Sequence, residues 1–155
     1  MAVTINGSGV VTGLASGNAG VGKILQVVQG TSETTVNTTS TSYVTTGLTA
    51  TITPSLVTSK ILILTHIYGN GNATDETRFT IFRGTVAGTN LGPAAGMGGF
   101  YPGSYFTVSF NWLDSPSTTS AQVYTLGFKN LSGAGTSRAI TGNAAASITL
   151  MEVAA

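Results

Sequence analysis

The chain contains no cysteine. That excludes disulfides, thiolate metal sites and cysteine nucleophiles together. Charge is the second shortage: Asp, Glu, Lys and Arg supply 7% of 155 residues, against roughly 25% in an ordinary soluble domain. With a net charge of +1 the chain has no basic field to hold nucleic acid or an anionic membrane. So little charge does little to oppose association, and the composition implies a surface covered by copies of the chain or by a partner. No run approaches the roughly 20 apolar residues of a membrane helix. The opening MAVTINGSGVVTGLASG lacks the charged start and unbroken apolar stretch of a secretory signal.

What is present suits a folded domain. Apolar residues make up 41% and mean hydropathy is +0.30, enough to build a core in a chain of one domain's length. Residues 1–22 differ from the rest. Val3, Ile5, Val10, Val11 and Leu14 are scattered among six glycines, too few for a core of their own, and predict an extended arm that orders on another surface. SGNAGVGK reads as its glycine-rich hinge, and Lys23 as the start of a domain over 23–155.

From Lys23 the periods are those of strands. KILQVVQ is a short apolar run ended by Gly30. The segment 31–55 is about half Thr, a residue suited to a pleated, half-buried surface, with low-complexity disorder as the competing reading. Val36, Tyr43, Val44, Leu48 and Ile52 recur through it and favour strands. KILILTHIYG (60–69) is apolar on both faces and predicts a central strand covered on both sides. ETRFTIFRG (76–84) alternates, with Asn-Gly in the loop before it predicting a hairpin to 60–68.

YFTVSFNWLD places Phe106, Val108, Phe110 and Trp112 on one face, and AQVYTLGFKN places Tyr124, Leu126 and Phe128 on one face. With SPSTTS between them they predict an antiparallel pair. GPAAGMGGFYPG (92–103) reads as an irregular loop, and SITLMEVA as a last strand with Ile148 and Leu150 inward. The sum is an all-β fold, an antiparallel β-sandwich or jelly-roll-like domain with a glycine-rich N-terminal arm.

Candidate chemistry is sparse. Gly17, Gly22 and Lys23 fit all but the last position of a G-x-x-x-x-G-K-[ST] phosphate loop. Ile24 occupies the magnesium position, however, and the β-branched run that follows supplies no helix. His66 is the only histidine, so a Ser–His–Asp triad would need it, with Asp75 or Asp114. Its place in the most apolar strand, on the face of Leu62, Leu64 and Tyr68, argues for a core or interface histidine. The carboxylates Glu33, Asp75, Glu76, Asp114 and Glu152 are scattered, and surface or salt-bridge roles fit them better than a glycosidase pair.

GNGNATDE (69–76) could offer oxygen ligands to calcium, but a turn accounts for it more simply. The N-x-[ST] matches at Asn37, Asn72 and Asn130 are expected by chance in so Ser- and Thr-rich a chain. No residue is assigned a catalytic, cofactor-binding or metal-binding role.

Five stretches span nearly the whole chain: MAVTINGSGVVTGL, GKILQVVQGTSETTVNTTSTSYVTTGLTATITPS, SKILIL, FNWLDSP and SITLMEVA. In these the chain resembles small β-rich structural proteins of tailed bacteriophages, of the cyanophage and marine-phage type. The resemblance implies a non-enzymatic virion component, β-rich and trimeric, on the particle exterior. Two duties fit. In capsid decoration, trimers cement capsomers of the major capsid protein, with the arm helping attachment. In a tail-fibre or receptor-binding module, Tyr101, Tyr105, Asn70 and Asn72 would face a host surface glycan. The lack of a repetitive shaft favours decoration. Neither duty calls for nucleic acid or membrane insertion.

Overall fold

The computed structural model describes residues 4–5, 11–12, 22–70, 75–100, 103, 105–141 and 144–154. Thirteen strands lie among them: β1 (Thr4–Ile5), β2 (Val11–Thr12), β3 (Ile24–Ser32), β4 (Val36–Thr38), β5 (Val44–Ile52), β6 (Lys60–Asn70), β7 (Thr77–Arg83), β8 (Thr89–Asn90), β9 (Gly98–Phe100), β10 (Tyr105–Asp114), β11 (Gln122–Asn130), β12 (Ser137–Ala139) and β13 (Ala146–Val153). Every pairing is antiparallel, and the described residues contain no helix. Two sheets pack face to face, so the fold is the antiparallel sandwich that the alternation predicts.

One sheet is built around β6. Strand β10 pairs with it from Ile61 to Asn70 along one edge. On its other edge β13 pairs over Lys60–His66, and β12 takes over at Gly69–Asn70. Strand β3 lies beyond β13, and β4 beyond β12. The other sheet runs β5-β11-β7, with β8 and β9 sharing the far edge of β7. Between the sheets lie Leu48 and Ile52 of β5, Ile61, Ile63 and Ile67 of β6, Phe79 and Ile81 of β7, Leu126 and Phe128 of β11, and Ile148 and Leu150 of β13. Phe79 and Phe128 stack with ring centroids 5.9 Å apart. In β5 the threonines at 45, 49 and 51 face out, while Leu48, Ala50 and Ile52 face in, which is why a Thr-rich segment still forms a strand.

The structure corrects several local expectations. Strand β3 runs through Gly30 instead of ending there. A Cβ at Gly30 would overlap the carbonyl oxygen of Thr49, so glycine here lets β3 pass close to β5 in the facing sheet. Strands β6 and β7 form no hairpin, because they belong to different sheets. For the same reason β10 and β11 do not pair; β10 joins β6, while β11 lies between β5 and β7. The stretch 92–103 contains a strand, β9, whose Gly99 sits where any Cβ would meet the carbonyl oxygen of Thr77.

Within 1–22, β1 pairs with β2 in the register Thr4↔Thr12 and Ile5↔Val11, forming a small two-stranded ribbon. The rest of the expected arm and hinge, up to 21, lies outside the described residues.

Candidate interaction surface

Strand β6 was expected to be covered on both faces. One face is core, but the other, carrying Leu62, Leu64, His66, Tyr68 and Asn70, is the open outer surface of the sheet. Strand register sorts this surface into rows. Val27 of β3 lies beside Met151 of β13, Met151 beside Leu62, and Leu62 beside Leu113 of β10. This apolar row crosses four strands, about 14 Å from edge to edge. It is most exposed at its ends, where Val27 is 56% and Leu113 50% accessible. Ile24 and Val153 extend it on one side, and Leu64 on the other.

Next comes Gln29–Thr149–Leu64–Asn111, in which the Gln29 amide donates to the Thr149 hydroxyl at 3.0 Å. Thr31–Ser147–His66–Ser109 follows. No Asp or Glu stands at an outward position of these strands; the basic side chains there are Lys60, His66 and Arg138.

Three of the five carboxylates, Asp75, Asp114 and Glu152, are instead buried inside. Asp114 accepts from Arg83 at 2.9 and 2.8 Å and from the Tyr124 hydroxyl at 2.7 Å, joining β7, β10 and β11 where the chain crosses between sheets. Burial, reinforced by the Asp114 carboxylate, holds the Tyr124 hydroxyl protonated far above its ordinary value. Asp75 accepts from the amide and hydroxyl of Ser132 and from the amide of Glu76, each within 2.8 Å. Burial opposes its charge, yet these bonds bring the carboxyl below its ordinary value. Glu76 pairs with Arg78. Only Glu33 is an exposed carboxylate.

Glu152 is buried on the inward face of β13, where alternation alone would predict an apolar residue. It accepts from the Gln26 amide at 2.6 Å and from the amide and hydroxyl of Ser55 at 2.7 Å. Burial alone would raise its carboxyl, but these bonds prevail and lower it from 4.5 to about 2. Because the folded value lies below the unfolded one, the unfolded chain takes up the proton first. Glu152 therefore stabilises fully above about pH 4.5, and its contribution is lost as pH falls through about 2. Urea midpoints between pH 5 and 2 should fall more steeply for the native chain than for Glu152→Gln, which should already be weaker at pH 7 by about 1–3 kcal/mol.

The candidate catalytic groups do not converge. His66 is exposed rather than in the core, and its Nδ1 lies 3.5 Å from Ser109 Oγ with no carboxylate bonded to it among the described residues. Asp114 sits five residues along β10 from Ser109, about 17 Å away. Asp75 is committed to Ser132, so neither a triad nor a calcium loop can use it freely. Gly17 of the phosphate-loop match lies outside the described residues; Lys23 leads directly into a strand, and its carbonyl accepts from Ala154. Among the described residues no cluster of His, Asp and Glu could hold a metal ion.

Of the four residues proposed to face a glycan, Tyr105 and Asn70 are register partners, while Tyr101 and Asn72 lie outside the described residues. The sequence reading missed Val27, Met151 and Leu113 as surface residues. The available signal was the two-faced apolarity of KILIL.

The chain matches no protein-family model and no curated protein. Among solved structures it is similar to VP2 of the infectious bursal disease virus subviral particle, with a TM-score of 0.48 and 14% identity. That match covers 83% of this chain and 33% of VP2, so the chain spans about a third of that protein. It is also similar to a protein of Bacillus endospore appendages, which form disulfide-linked pili, with a TM-score of 0.36 and 13% identity over 83% of this chain and 89% of that one. A cysteine-free chain cannot make such a link. At these scores neither likeness carries an argument about what this chain does.

Proposed function

We propose that this chain is a non-enzymatic structural subunit on the exterior of a virion, and specifically a capsid decoration protein that assembles as a homotrimer and binds the major capsid protein. The observation that carries this reading is the carboxylate-free outer face with its apolar row from Val27 to Leu113. The occupant argued for the row is a second copy of the chain. The face offers no negative charge to a basic partner and only Lys60 near the row to an acidic one, whereas two such faces do not repel each other.

The row is also continuous with β10, whose second edge is unpaired among the described residues. Residues 105–114 contain no Lys, Pro or Gly to blunt that edge, and their one charge, Asp114, is buried. The exposed ends of the row lie on opposite edges of the sheet, on β3 and β10. A contact between the β10 end of one copy and the β3 end of the next is head-to-tail, the kind that closes into a ring. The tailed-phage setting rests on the resemblance of the sequence, and attachment through 1–22 rests on its composition.

Electron cryomicroscopy of intact particles tests the duty. Density for the sandwich at the local three-fold positions of the head is expected. Density confined to the tail tip would replace decoration with the receptor-binding alternative.

A further inference from the structure

The end of the outer face remote from the apolar row has a different chemistry. Asn37 of β4 lies beside Arg138 of β12, Arg138 beside Asn70 of β6, and Asn70 beside Tyr105 of β10. Burial alternation turns all four outward: Asn37, Arg138 and Tyr105 are exposed and Asn70 is half-buried. Tyr68 stacks on Tyr105, with ring centroids 5.9 Å apart and planes inclined by 16°. The Arg138 side chain has no ion pair or hydrogen bond among the described residues. Along β6, Asn70 is eight residues from Leu62, about 26 Å, so this row and the apolar row can be occupied independently.

We propose that the Asn37–Arg138–Asn70–Tyr105 row, with Tyr68, binds a carboxylate-bearing glycan. The stacked Tyr68–Tyr105 pair offers aromatic surface suited to the C–H face of a pyranose. The exposed Asn37 amide offers a donor pair and an acceptor, matching the vicinal hydroxyls of a sugar, while Asn70, whose Oδ1 is buried, can contribute only its donor pair. The free Arg138 guanidinium presents a planar fork that fits a carboxylate bidentately. Outward positions of the sheet hold no acidic group to repel that carboxylate. A single arginine cannot neutralise a run of phosphates, which disfavours nucleic acid. The row spans about 14 Å across four strands, long enough for an oligosaccharide.

Calorimetric titration of the full chain with hexagalacturonate and with neutral maltohexaose tests this. The acidic oligosaccharide should bind more tightly than the neutral one. Arg138→Gln should weaken acidic binding about tenfold and erase the preference. Tyr105→Ala should abolish binding of both, while Tyr105→Phe keeps it, which separates loss of the ring from misfolding. Lys60→Gln, at the opposite end of the face, should change nothing. No heat at millimolar oligosaccharide would overturn the proposal. So would acidic binding that survives Arg138→Gln, an equal loss in Lys60→Gln, or equally tight binding of oligothymidylate.

Discussion

Leu113→Lys is expected to dissociate the assembly while leaving the sandwich folded. Leu113 is half exposed on an edge strand and contributes to no core cluster, so the monomer loses little when it changes. In the assembled form the same position is the β10 end of the apolar row, and a lysine there would place an unpaired ammonium in a contact that offers no carboxylate. Burying such a charge costs about 3–5 kcal/mol, a weakening of more than a hundredfold per contact. Val27→Lys, at the other end of the row, should have the same effect, because a head-to-tail contact uses both ends. Sedimentation shows the change in mass, and an unchanged melting curve shows that the fold is intact. If both variants keep the native mass, the row is not the contact.

Asp114→Ala should have the largest effect on the fold itself. Its carboxylate is the acceptor for both the Arg83 guanidinium and the Tyr124 hydroxyl, and Tyr124 is fully buried. Removal leaves a core hydroxyl without that acceptor and a half-buried cation without its partner, at a cost of about 3–5 kcal/mol. For a chain of this size that corresponds to a fall in Tm of about 10 °C or more. Asp114→Asn can still accept from Tyr124 and should lose less than the alanine variant. Urea unfolding with an unchanged slope measures both. A loss below 1 kcal/mol for the alanine variant would mean that the cluster does not clamp the crossing between sheets.

The all-β class was legible because alternation survives in β5, β7, β10, β11 and β13, and because the inward members, such as Leu48, Phe79, Phe128 and Ile148, are the apolar ones. Alternation says which side chains share a face; it does not say which strand lies alongside. SPSTTS therefore looked like a hairpin turn, although it carries the chain from one sheet to the other. Gly30 looked like a strand end because its reason for being glycine, the Thr49 carbonyl, is remote in sequence. Glu152 broke the apolar pattern of its strand, and only Gln26 and Ser55, distant in the chain, explain its burial.

The interaction face was half visible. KILIL showed two apolar faces, but whether the second is covered depends on what packs there, and no described part of this chain does. Arg138 and Asn37 gave no signal, since their closeness to Tyr105 comes entirely from strand order.

Self-association through that open face is the claim on which the rest depends. Sedimentation equilibrium of the unmodified full chain at micromolar concentration tests it most directly. The account predicts a trimer of the 15.6 kDa chain. A single monomeric species across that range would contradict it.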